Sequence, residues 1–291
     1  MKIVVVNWNH SDVLRRNLAN LQGEGLLDSV VVVDNGSTDD SVRVAQEYNV
    51  ELMALPSNVG YGAANDIAMK STSDDVALLL NSDAFPSKTT VVTLRDTLEA
   101  RPSCAAVGPA LVLPSGEFQP GGAGFGPGLA SAASHFLGWG HVIPWFGHPL
   151  FIHQRRYSRC QSPVSVGWVA GACMMVRTKA YVSVGGFGAG FHMYGEDAAI
   201  CHRFRMEGWN ILYQPSVRVT HLFGASSEGP GDSRWLVSLY EWFRNTRGPA
   251  EARLFAEVAL YGLGARRILT RDSERKRAYR EWSDELARVA R

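Results

Sequence analysis

Blocks of apolar and polar residues alternate along the first part of the chain and predict alternating strands and helices. Residues 2–6 and 29–33 are short runs rich in β-branched side chains, and the segment between them places Leu14, Leu18 and Leu21 on one helical face. Continuous apolar runs suit strands that are buried on both faces, as in a parallel sheet with crossover helices. The start of the chain therefore predicts a βαβ unit of an α/β fold.

The alternation continues beyond this unit and then gives way to helices. Further strands are predicted at 50–55, 75–80, 105–113, 164–168 and 172–176, and further helices at 40–48, 87–100 and 198–207. Two short edge strands, 210–213 and 216–220, are predicted on either side of Pro215. Amphipathic helical patterns follow at 234–244, 250–269 and 274–289. Between 118 and 157 the pattern breaks down, which fits either a functional flap or a helical insertion that packs its aromatic residues inward.

Polar residues follow the first two predicted strands. They are Asn7 and Asn9 after the first strand, and Asp34, Asn35, Gly36 and Ser37 after the second. These positions are the carboxyl ends of neighbouring strands, where open α/β sheets bind their ligands. Asp34 is well placed to accept a hydrogen bond from a base N–H or a ribose hydroxyl. Turn and capping roles alone would explain Gly36 and Ser37.

A glycine-containing segment follows the third strand and precedes a helix. It includes Asn58, Gly60, Gly62 and Asn65. Glycines at such a place let backbone N–H groups approach a phosphate at a helix N-terminus. Asn65 stands where a dinucleotide fingerprint has its third glycine, so the segment does not favour an NAD site. A flexible strand-to-helix turn is the alternative reading.

Acidic residues occur at two other places where a ligand would explain them. Asp83 follows the apolar run 75–80 through Asn81 and Ser82, and a carboxylate at a buried strand end is costly unless it binds something. Glu196 and Asp197 stand together at the start of a helical pattern. A turn role for Asp83, and a favourable interaction of the acidic pair with the helix dipole, are the alternatives.

These elements, in this order, resemble the family 2 inverting glycosyltransferases with the GT-A fold, and in particular their rhamnosyltransferase-like bacterial members. The resemblance covers residues 2–227 and rests on VVNWN, VVVDNGSTDDS, the glycine segment, Asn81-Ser82-Asp83, the Glu196-Asp197 pair and His221 with its following residues. It implies a mixed, mostly parallel, Rossmann-like sheet flanked by helices. It also implies a GT-A domain at 1–227, with a nucleotide-binding half at 1–113 and an acceptor-binding half at 114–227, followed by a helical extension at 228–291.

The resemblance also assigns roles to residues. Donor binding falls to Asn7, Asn9, Asp34, Asn35, Gly36, Ser37, Asn58, Gly60, Gly62, Asn65, Asn81, Ser82 and Asp83. Asp83 and His221 would hold a divalent metal, Mg²⁺ or Mn²⁺, although Asn81 replaces the first aspartate of the family's metal motif. Acceptor binding falls to Trp168, Gly171, Ala172 and Tyr194. Asp197 would be the catalytic base, with Glu196 supporting it or contacting the acceptor.

The implied activity is a metal-dependent, inverting transfer of a sugar from a nucleoside-diphosphate sugar to an acceptor hydroxyl. The donor would be a dTDP- or UDP-sugar, including a deoxysugar such as rhamnose, and the acceptor a glycan, a lipid-linked sugar or a small molecule. A non-catalytic nucleotide-sugar-binding protein is an alternative that Asn81 and Ala199 favour. A sugar nucleotidyltransferase is disfavoured, because residues 7–11 lack the glycine and lysine of a phosphate loop.

Composition and charge narrow the partners. The net charge of +1 does not indicate a nucleic-acid-binding protein, and four widely spaced cysteines fit reduced thiols in a cytoplasmic protein. No signal peptide is recognisable, and the apolar run 164–176 is too short to span a bilayer. The basic, amphipathic C-terminal helices fit a peripheral contact with the inner face of a membrane, a homodimer contact or a solvated surface.

Overall fold

The computed structural model describes residues 1–138, 150–152, 154–188, 195–222 and 233–291. The chain divides into two compact units. The sheet unit comprises Met1–Ala123, His153–His192 and Glu196–Phe223, and the helical unit comprises Gly124–Ile152, Met193–Gly195 and Gly224–Arg291. The segment Gly124–Ile152 thus groups with the C-terminal helices, whereas the sequence placed it in an acceptor-binding half.

The helices and strands follow one another in the order that an α/β chain requires. They are β1 (Lys2–Asn7), α1 (Ser11–Gly23), a 3-10 helix (Leu27–Ser29), β2 (Val30–Asp34), α2 (Ser41–Glu47), β3 (Glu51–Ala54), α3 (Tyr61–Lys70), β4 (Val76–Asn81), β5 (Ala84–Phe85), α4 (Lys88–Glu99), β6 (Cys104–Val112), β7 (Ala123–Gly124), α5 (Leu129–Phe136), α6 (Gln154–Tyr157), β8 (Val164–Val166), β9 (Trp168–Val169), β10 (Cys173–Arg177), α7 (Thr178–Ser183), α8 (Glu196–Met206), β11 (Asn210–His221), α9 (Arg234–Thr246), α10 (Pro249–Leu269) and α11 (Ser273–Val289).

The main sheet confirms the predicted mixed α/β fold. Its strands run in the order β3-β2-β1-β4-β10-β6-β11-β5, and β8 pairs with β11. The first four strands are parallel to one another, whereas β10 runs antiparallel to both of its neighbours. The register sets Asn7 opposite Asp34 and Val6 opposite Asn81. The carboxyl ends of β1, β2 and β4 therefore lie side by side, as the sequence predicted.

Burial explains why these runs form the centre of the sheet. All five residues of β2 are buried, and so are the apolar residues of β4. The crossover helix α1 turns Leu14, Leu18 and Leu21 inward, and each is fully buried. Fully burying a leucine stabilises a fold by roughly 1.5 to 3 kcal/mol. The apolar residues therefore determine which runs form buried strands and which face of α1 packs on the sheet.

Strand β11 differs from its prediction as two edge strands. It is one strand of 12 residues that pairs with β6 along one side and with β8 and β5 along the other. Between Gln214 and Arg218 the register with β6 shifts, and Pro215 lies in this bulge. A bulge tolerates proline because no ladder hydrogen bond is needed there. The unbroken strand carries His221 to the position opposite Ala84, next to Asp83.

The helical unit is built around stacked aromatic rings. Phe243 of α9 stacks on Phe255 of α10 with ring centroids 4.7 Å apart, and Phe136 of α5 meets Phe255 edge to face. A side chain at Gly262 would overlap the Phe136 backbone, so α10 can approach α5 closely only with glycine there. Phe136, in the segment that the sequence read as a flap or an insertion, is buried. Trp139, Trp145 and Phe146 lie outside the described residues.

Among the described helices, none has the length and apolar character that a membrane crossing requires.

The turn after β2 gives a test of close packing at the sheet edge. Gly36 has φ of +74°, and a Cβ on it would lie 2.5 Å from Ser57 backbone atoms. Gly116 has a similar φ of +81°, but a Cβ there meets no atom within 4 Å. We expect Gly116→Ala to lower the unfolding free energy by about 1 to 2 kcal/mol, from the left-handed backbone alone. Gly36→Ala should lower the unfolding free energy by about 1 to 3 kcal/mol more than Gly116→Ala, because its Cβ would overlap the Ser57 backbone. Urea denaturation measures both values. Equal losses in the two variants would contradict this packing.

Candidate active site

The loops that follow β1 and β2 are joined by side-chain hydrogen bonds. The Asn9 backbone N–H donates to Ser37 Oγ at 2.9 Å, and the Thr38 N–H donates to Asn9 Oδ1 at 2.7 Å. Ser37 therefore does not cap α2, which begins at Ser41 beside the Asp39 carboxylate. These contacts fix the shape of the sheet edge, and donor binding by Asn9 and Ser37 stays a prediction.

A second set of hydrogen bonds shapes the turn before α3. Asn35 Nδ2 donates to Asn58 Oδ1 at 2.9 Å, and Asn35 Oδ1 accepts from the Val59 N–H at 2.9 Å. Asn58 Oδ1 also accepts from the N–H of Gly60, whose φ of +88° is available mainly to glycine. A side chain at Gly62 would collide with Phe187. The glycine segment thus has a rigid turn beside the loop after β2.

Several polar atoms at this edge are buried without a hydrogen-bond partner in the described part of the chain. They are Oδ1 and Nδ2 of Asn7, Oδ1 of Asp34 and Oδ1 of Asn65. Each such atom costs about 1 to 3 kcal/mol if it stays unpaired. Asn7 and Asp34 are register partners, and the other Asp34 oxygen accepts from the Ser37 N–H at 2.9 Å. A polar ligand that met these atoms would remove the cost, and the sequence assigned all three residues to donor binding.

Asp83 and His221 lie in contact at the next part of the edge. His221 Nε2 is 2.9 Å from Asp83 Oδ1, and its Nδ1 is 2.7 Å from Oε1 of the buried Gln119. With Nδ1–H donated to Gln119, neutral Nε2 would face the carboxylate with a lone pair. In the other tautomer Nε2–H donates to Asp83; in this one a cation between the two atoms would satisfy both. Gln119 was not identified from the sequence, because it lies outside any motif.

This pair fits a divalent cation that shares its coordination with a ligand. No group of three or more His, Cys, Asp and Glu side chains within the described ranges is arranged to hold a metal. Two ligands at about 2.1 Å from one octahedral ion lie about 3 Å apart, close to the 2.9 Å between Asp83 and His221. Sites for Mg²⁺ commonly combine one or two carboxylates with substrate phosphates. Asn81 Nδ2 lies 3.5 Å from His221 Nε2, and Ser82 is buried beside them.

Glu196 and Asp197 form the first turn of α8. Asp197 Oδ2 accepts the Gly171 N–H at 3.1 Å, and its Oδ1 accepts the Ala198 N–H at 2.7 Å. Glu196 Oε2 is buried and has no hydrogen-bond partner among the described residues. Burial raises the pKa of Glu196 to about 8, and the adjacent Asp197 carboxylate adds to the shift. Burial also raises the pKa of Asp197, against the two N–H donors that favour its ionised form.

The segment Gly171–Ala172 connects this acidic pair to the donor edge. While the Gly171 N–H holds Asp197, the Gly171 carbonyl accepts from Tyr61 Oη at 2.7 Å and the Ala172 carbonyl from the Asn81 N–H at 3.0 Å. A Cβ on Gly171 would lie 3.3 Å from the Tyr61 ring, so the position has little spare room. The structure thus brings residues of α3, β4 and α8 to one segment of the chain.

The structure gives less support to acceptor binding by the remaining candidates. Trp168, in β9, is only 6% exposed, and Ala172 is buried as well, so both present little surface to an acceptor. Acceptor binding by Trp168, Gly171 and Ala172 stays a prediction. Tyr194 lies outside the described residues.

Sequence reasoning missed two residues that hold the chain shortly before α8. Asp66 of α3 accepts hydrogen bonds from Tyr181 Oη at 2.6 Å and from the Phe187 and Gly188 N–H groups at 2.8 and 3.1 Å. Arg203 of α8 donates to the carbonyls of residues 184, 186 and 187. The glycines at 185 and 186 were a signal of a special turn, but nothing in their spacing pointed to Asp66 or Arg203.

Comparisons with known proteins agree with this geometry. The family model for Glycosyl transferase family 2 matches residues 2–129. An N-acetylglucosaminyl-diphospho-decaprenol L-rhamnosyltransferase of Mycobacterium tuberculosis is 31% identical over 235 residues, which cover 76% of this chain and 75% of that protein. Rhamnosyltransferase WbbL of Escherichia coli K12 is 25% identical over 231 residues, covering 75% of this chain and 82% of its own.

Solved glycosyltransferase structures with the GT-A fold resemble the chain at lower identity. GalNAc-T7, solved with UDP, GalNAc and Mn²⁺, has a TM-score of 0.59 and 14% identity, over 86% of this chain and 51% of its own. Mannosyltransferase PcManGT of Pyrobaculum calidifontis, solved with GDP-Man and Mn²⁺, has a TM-score of 0.56 and 15% identity, over 98% and 83%. The chain spans about half the length of the GalNAc-T7 chain, and at these identities the likeness concerns the fold.

Sequence, architecture and relatives indicate the same family: residues 2–129 match the family model, and the sheet has the GT-A arrangement. The chain therefore belongs to glycosyl transferase family 2, and it is a GT-A glycosyltransferase similar to bacterial rhamnosyltransferases.

Proposed function

We propose that the protein is a metal-dependent, inverting glycosyltransferase that moves a deoxysugar from a dTDP- or UDP-sugar to a hydroxyl of a lipid-linked acceptor. The observation that carries the proposal is the half-buried Glu196–Asp197 pair, which the hydrogen bonds of Gly171–Ala172 connect to the sheet edge with the unpaired polar atoms. The name of the M. tuberculosis relative supports a rhamnosyl donor and a polyprenyl-diphosphate-linked acceptor. A glycan or a small molecule is the alternative acceptor class.

Asp197 is the general base of the proposed reaction. Its carboxylate is fixed by the N–H groups of Gly171 and Ala198, which favour the ionised form, and its raised pKa makes it a better proton acceptor than a solvent-exposed aspartate. Asp197 takes the proton of the acceptor hydroxyl while the hydroxyl oxygen bonds to the anomeric carbon. The bond from that carbon to the diphosphate oxygen breaks on the opposite face, and the nucleoside diphosphate leaves with the electron pair.

Glu196 supports Asp197 by remaining protonated near neutral pH. Two carboxylates this close do not both ionise readily in a buried site, and Glu196 is the one whose buried oxygen lacks a hydrogen-bond partner among the described residues. A neutral Glu196 avoids repelling the charge on Asp197 and can donate its own proton in a hydrogen bond.

Asp83 and His221 would hold the divalent ion, Mg²⁺ or Mn²⁺, together with the donor diphosphate. The bound ion would supply positive charge against the negative charge of the leaving diphosphate. Asn7, Asp34 and Asn65 present the buried polar atoms that the nucleotide would satisfy. A lipid-linked acceptor would place the reaction at a membrane surface, which agrees with the expectation of a cytoplasmic protein that meets the membrane peripherally. The homodimer stays a prediction.

Replacing the base with its amide tests the catalytic assignment. Asp197→Asn keeps the size of the side chain, so donor binding should be preserved while kcat falls about 10²- to 10⁴-fold. Glu196→Gln preserves a neutral side chain and should lower kcat much less. Release of nucleoside diphosphate with a polyprenyl-linked acceptor measures both variants. A dead Glu196→Gln enzyme beside an active Asp197→Asn enzyme would reverse the roles, and two active variants would remove the pair from the chemistry.

The raised pKa of Glu196 predicts a pH-dependent stability. The usual value is 4.5 and the folded value is about 8, so between these pH values the unfolded chain loses this proton while the folded chain keeps it. Unfolding is then favoured as pH rises, and the wild type should lose stability relative to Glu196→Gln from pH 4.5 to pH 8. Below that window the difference between the two proteins is constant.

Thermal denaturation across the same pH range, with Glu207→Gln as the control, tests this linkage. Glu207 is exposed immediately after α8, so its variant should follow the wild type at every pH. A constant difference between Glu196→Gln and the wild type across the window would show that the Glu196 pKa is not raised.

Loss of either proposed metal ligand should uncouple nucleotide binding from metal. In wild type, dTDP or UDP at a hundred times its dissociation constant with Mn²⁺ should stabilise the fold by about 2.7 kcal/mol, and EDTA should remove most of that gain and the turnover. Asp83→Ala and His221→Ala should show little metal-dependent gain. Asp75→Ala, at the exposed opposite end of β4, is the matched control and should behave like wild type. Full turnover of the wild type in EDTA would refute the metal assignment.

A further inference from the structure

The outer face of α10 carries large apolar side chains that remain exposed. Leu254 is 47% exposed, Tyr261 75%, Ile268 80% and Leu269 81%. Residues 254, 261 and 268 are spaced by seven, which is close to two helical turns, so they form one stripe along the helix. We call these four side chains the α10 stripe.

The α10 stripe lies on the side of the helix opposite the face that packs into the helical unit. The residues of α10 that face the helical unit are buried, and α5, α9 and α11 pack against the helix. The buried set is Ala252, Phe255, Ala256, Ala259, Gly262 and Leu263. Because this opposite face already forms the core of the unit, the stripe cannot turn inward without unfolding it. The stripe is therefore available to a lipid surface or to a partner.

Positive charge is concentrated at the end of the stripe. Residues 266–280 include seven Lys and Arg but only two Asp and Glu, a net charge of +5, although the whole chain has only +1. Arg267, Arg271 and Lys276 are exposed. Arg275 and Arg277 are 71% and 81% exposed, and they pair with Asp272 at 3.4 Å and Glu281 at 3.2 Å. The apolar stripe therefore ends in a cationic surface.

We propose that the α10 stripe lies in the headgroup region of an anionic lipid bilayer, with the cationic segment 266–280 on the lipid phosphates. A narrow line of Leu, Tyr and Ile side chains beside arginines is typical of a helix that lies in the plane of a membrane interface. Tyrosine places its ring at that depth and its hydroxyl in the headgroups, and arginine side chains extend along apolar surface toward charge. Charge complementarity favours anionic lipid as the occupant, because the segment with a net charge of +5 lies at the end of the stripe.

The inference goes beyond the proposed reaction and depends on neither donor nor acceptor. Vesicle binding and sugar transfer can therefore succeed or fail separately. Attachment through one face of α10 would bring the protein to a lipid surface without a membrane-spanning helix.

Flotation of the full-length protein with vesicles tests the proposal. Vesicles of phosphatidylglycerol and phosphatidylcholine in equal parts should bind the wild type at low salt. Vesicles of phosphatidylcholine alone, or the mixed vesicles in about 1 M salt, where the Debye length is about 3 Å, should bind far less. The double variant Ile268→Ser/Leu269→Ser should bind at least about tenfold more weakly, since each buried side chain is worth a factor of this order.

The matched control is Val182→Ser/Met206→Ser, which removes apolar side chains that are 65% and 73% exposed in the sheet unit. This control should bind vesicles like wild type, and all three proteins should keep the same melting temperature. The charge variant Arg267→Gln/Arg271→Gln should lose the preference for phosphatidylglycerol. The proposal is overturned if the wild type stays off the mixed vesicles or if the control loses binding as much as the stripe variant. It is equally overturned if sedimentation shows a wild-type dimer that Ile268→Ser/Leu269→Ser dissociates, because the stripe would then contact a second copy.

Discussion

The hydrogen bonds of one short backbone segment hold the proposed active site of this glycosyltransferase together. The Gly171 N–H binds Asp197, its carbonyl binds the Tyr61 hydroxyl, and the Ala172 carbonyl binds the Asn81 N–H. Through these three contacts the acidic pair, the glycine segment and the end of β4 share a single reference point. A side chain at Gly171 would press on Tyr61, and a displacement of about 1 Å between reacting groups can cost a factor of 10² in rate. The position of Asp197, the proposed base, therefore depends on the backbone geometry at Gly171.

The polar groups of the site differ in whether they have a hydrogen-bond partner within the protein. Two pairs of loop residues are hydrogen-bonded to each other: Asn9 with Ser37, and Asn35 with Asn58. These bonds stabilise the loops without a ligand. Among the buried atoms without a hydrogen-bond partner in the described part of the chain, those at this site belong to Asn7, Asp34, Asn65 and Glu196. Unpaired atoms of this kind reduce the stability of the fold, and a ligand that pairs them recovers that free energy as affinity. The loops with paired polar groups therefore form the scaffold, and the unpaired polar atoms mark the proposed binding surface.

Sequence patterns recovered the strands, the sheet edge and the family, because continuous apolar runs and short motifs are local properties. They failed where the outcome depends on distant pairing. Pro215 suggested a break in β11, yet a bulge absorbs it and the strand continues to His221. Asp66 and Arg203 bind backbone groups of residues 184–188, and Gln119 contacts the side chain of His221. These partners are distant in sequence, so no spacing reveals them. In α10 apolar residues occur on two faces, and only packing against α5, α9 and α11 decides which one is buried.

The replacement of an aspartate by Asn81 is compatible with the proposed metal chemistry. A second carboxylate beside Asp83 would add negative charge close to the incoming diphosphate, whereas the Asn81 amide is neutral and lies 3.5 Å from His221 Nε2. One carboxylate and one imidazole bind a hard cation weakly by themselves. A metal held by Asp83 and His221 would then depend on the diphosphate oxygens for much of its affinity, so its binding would be coupled to that of the donor.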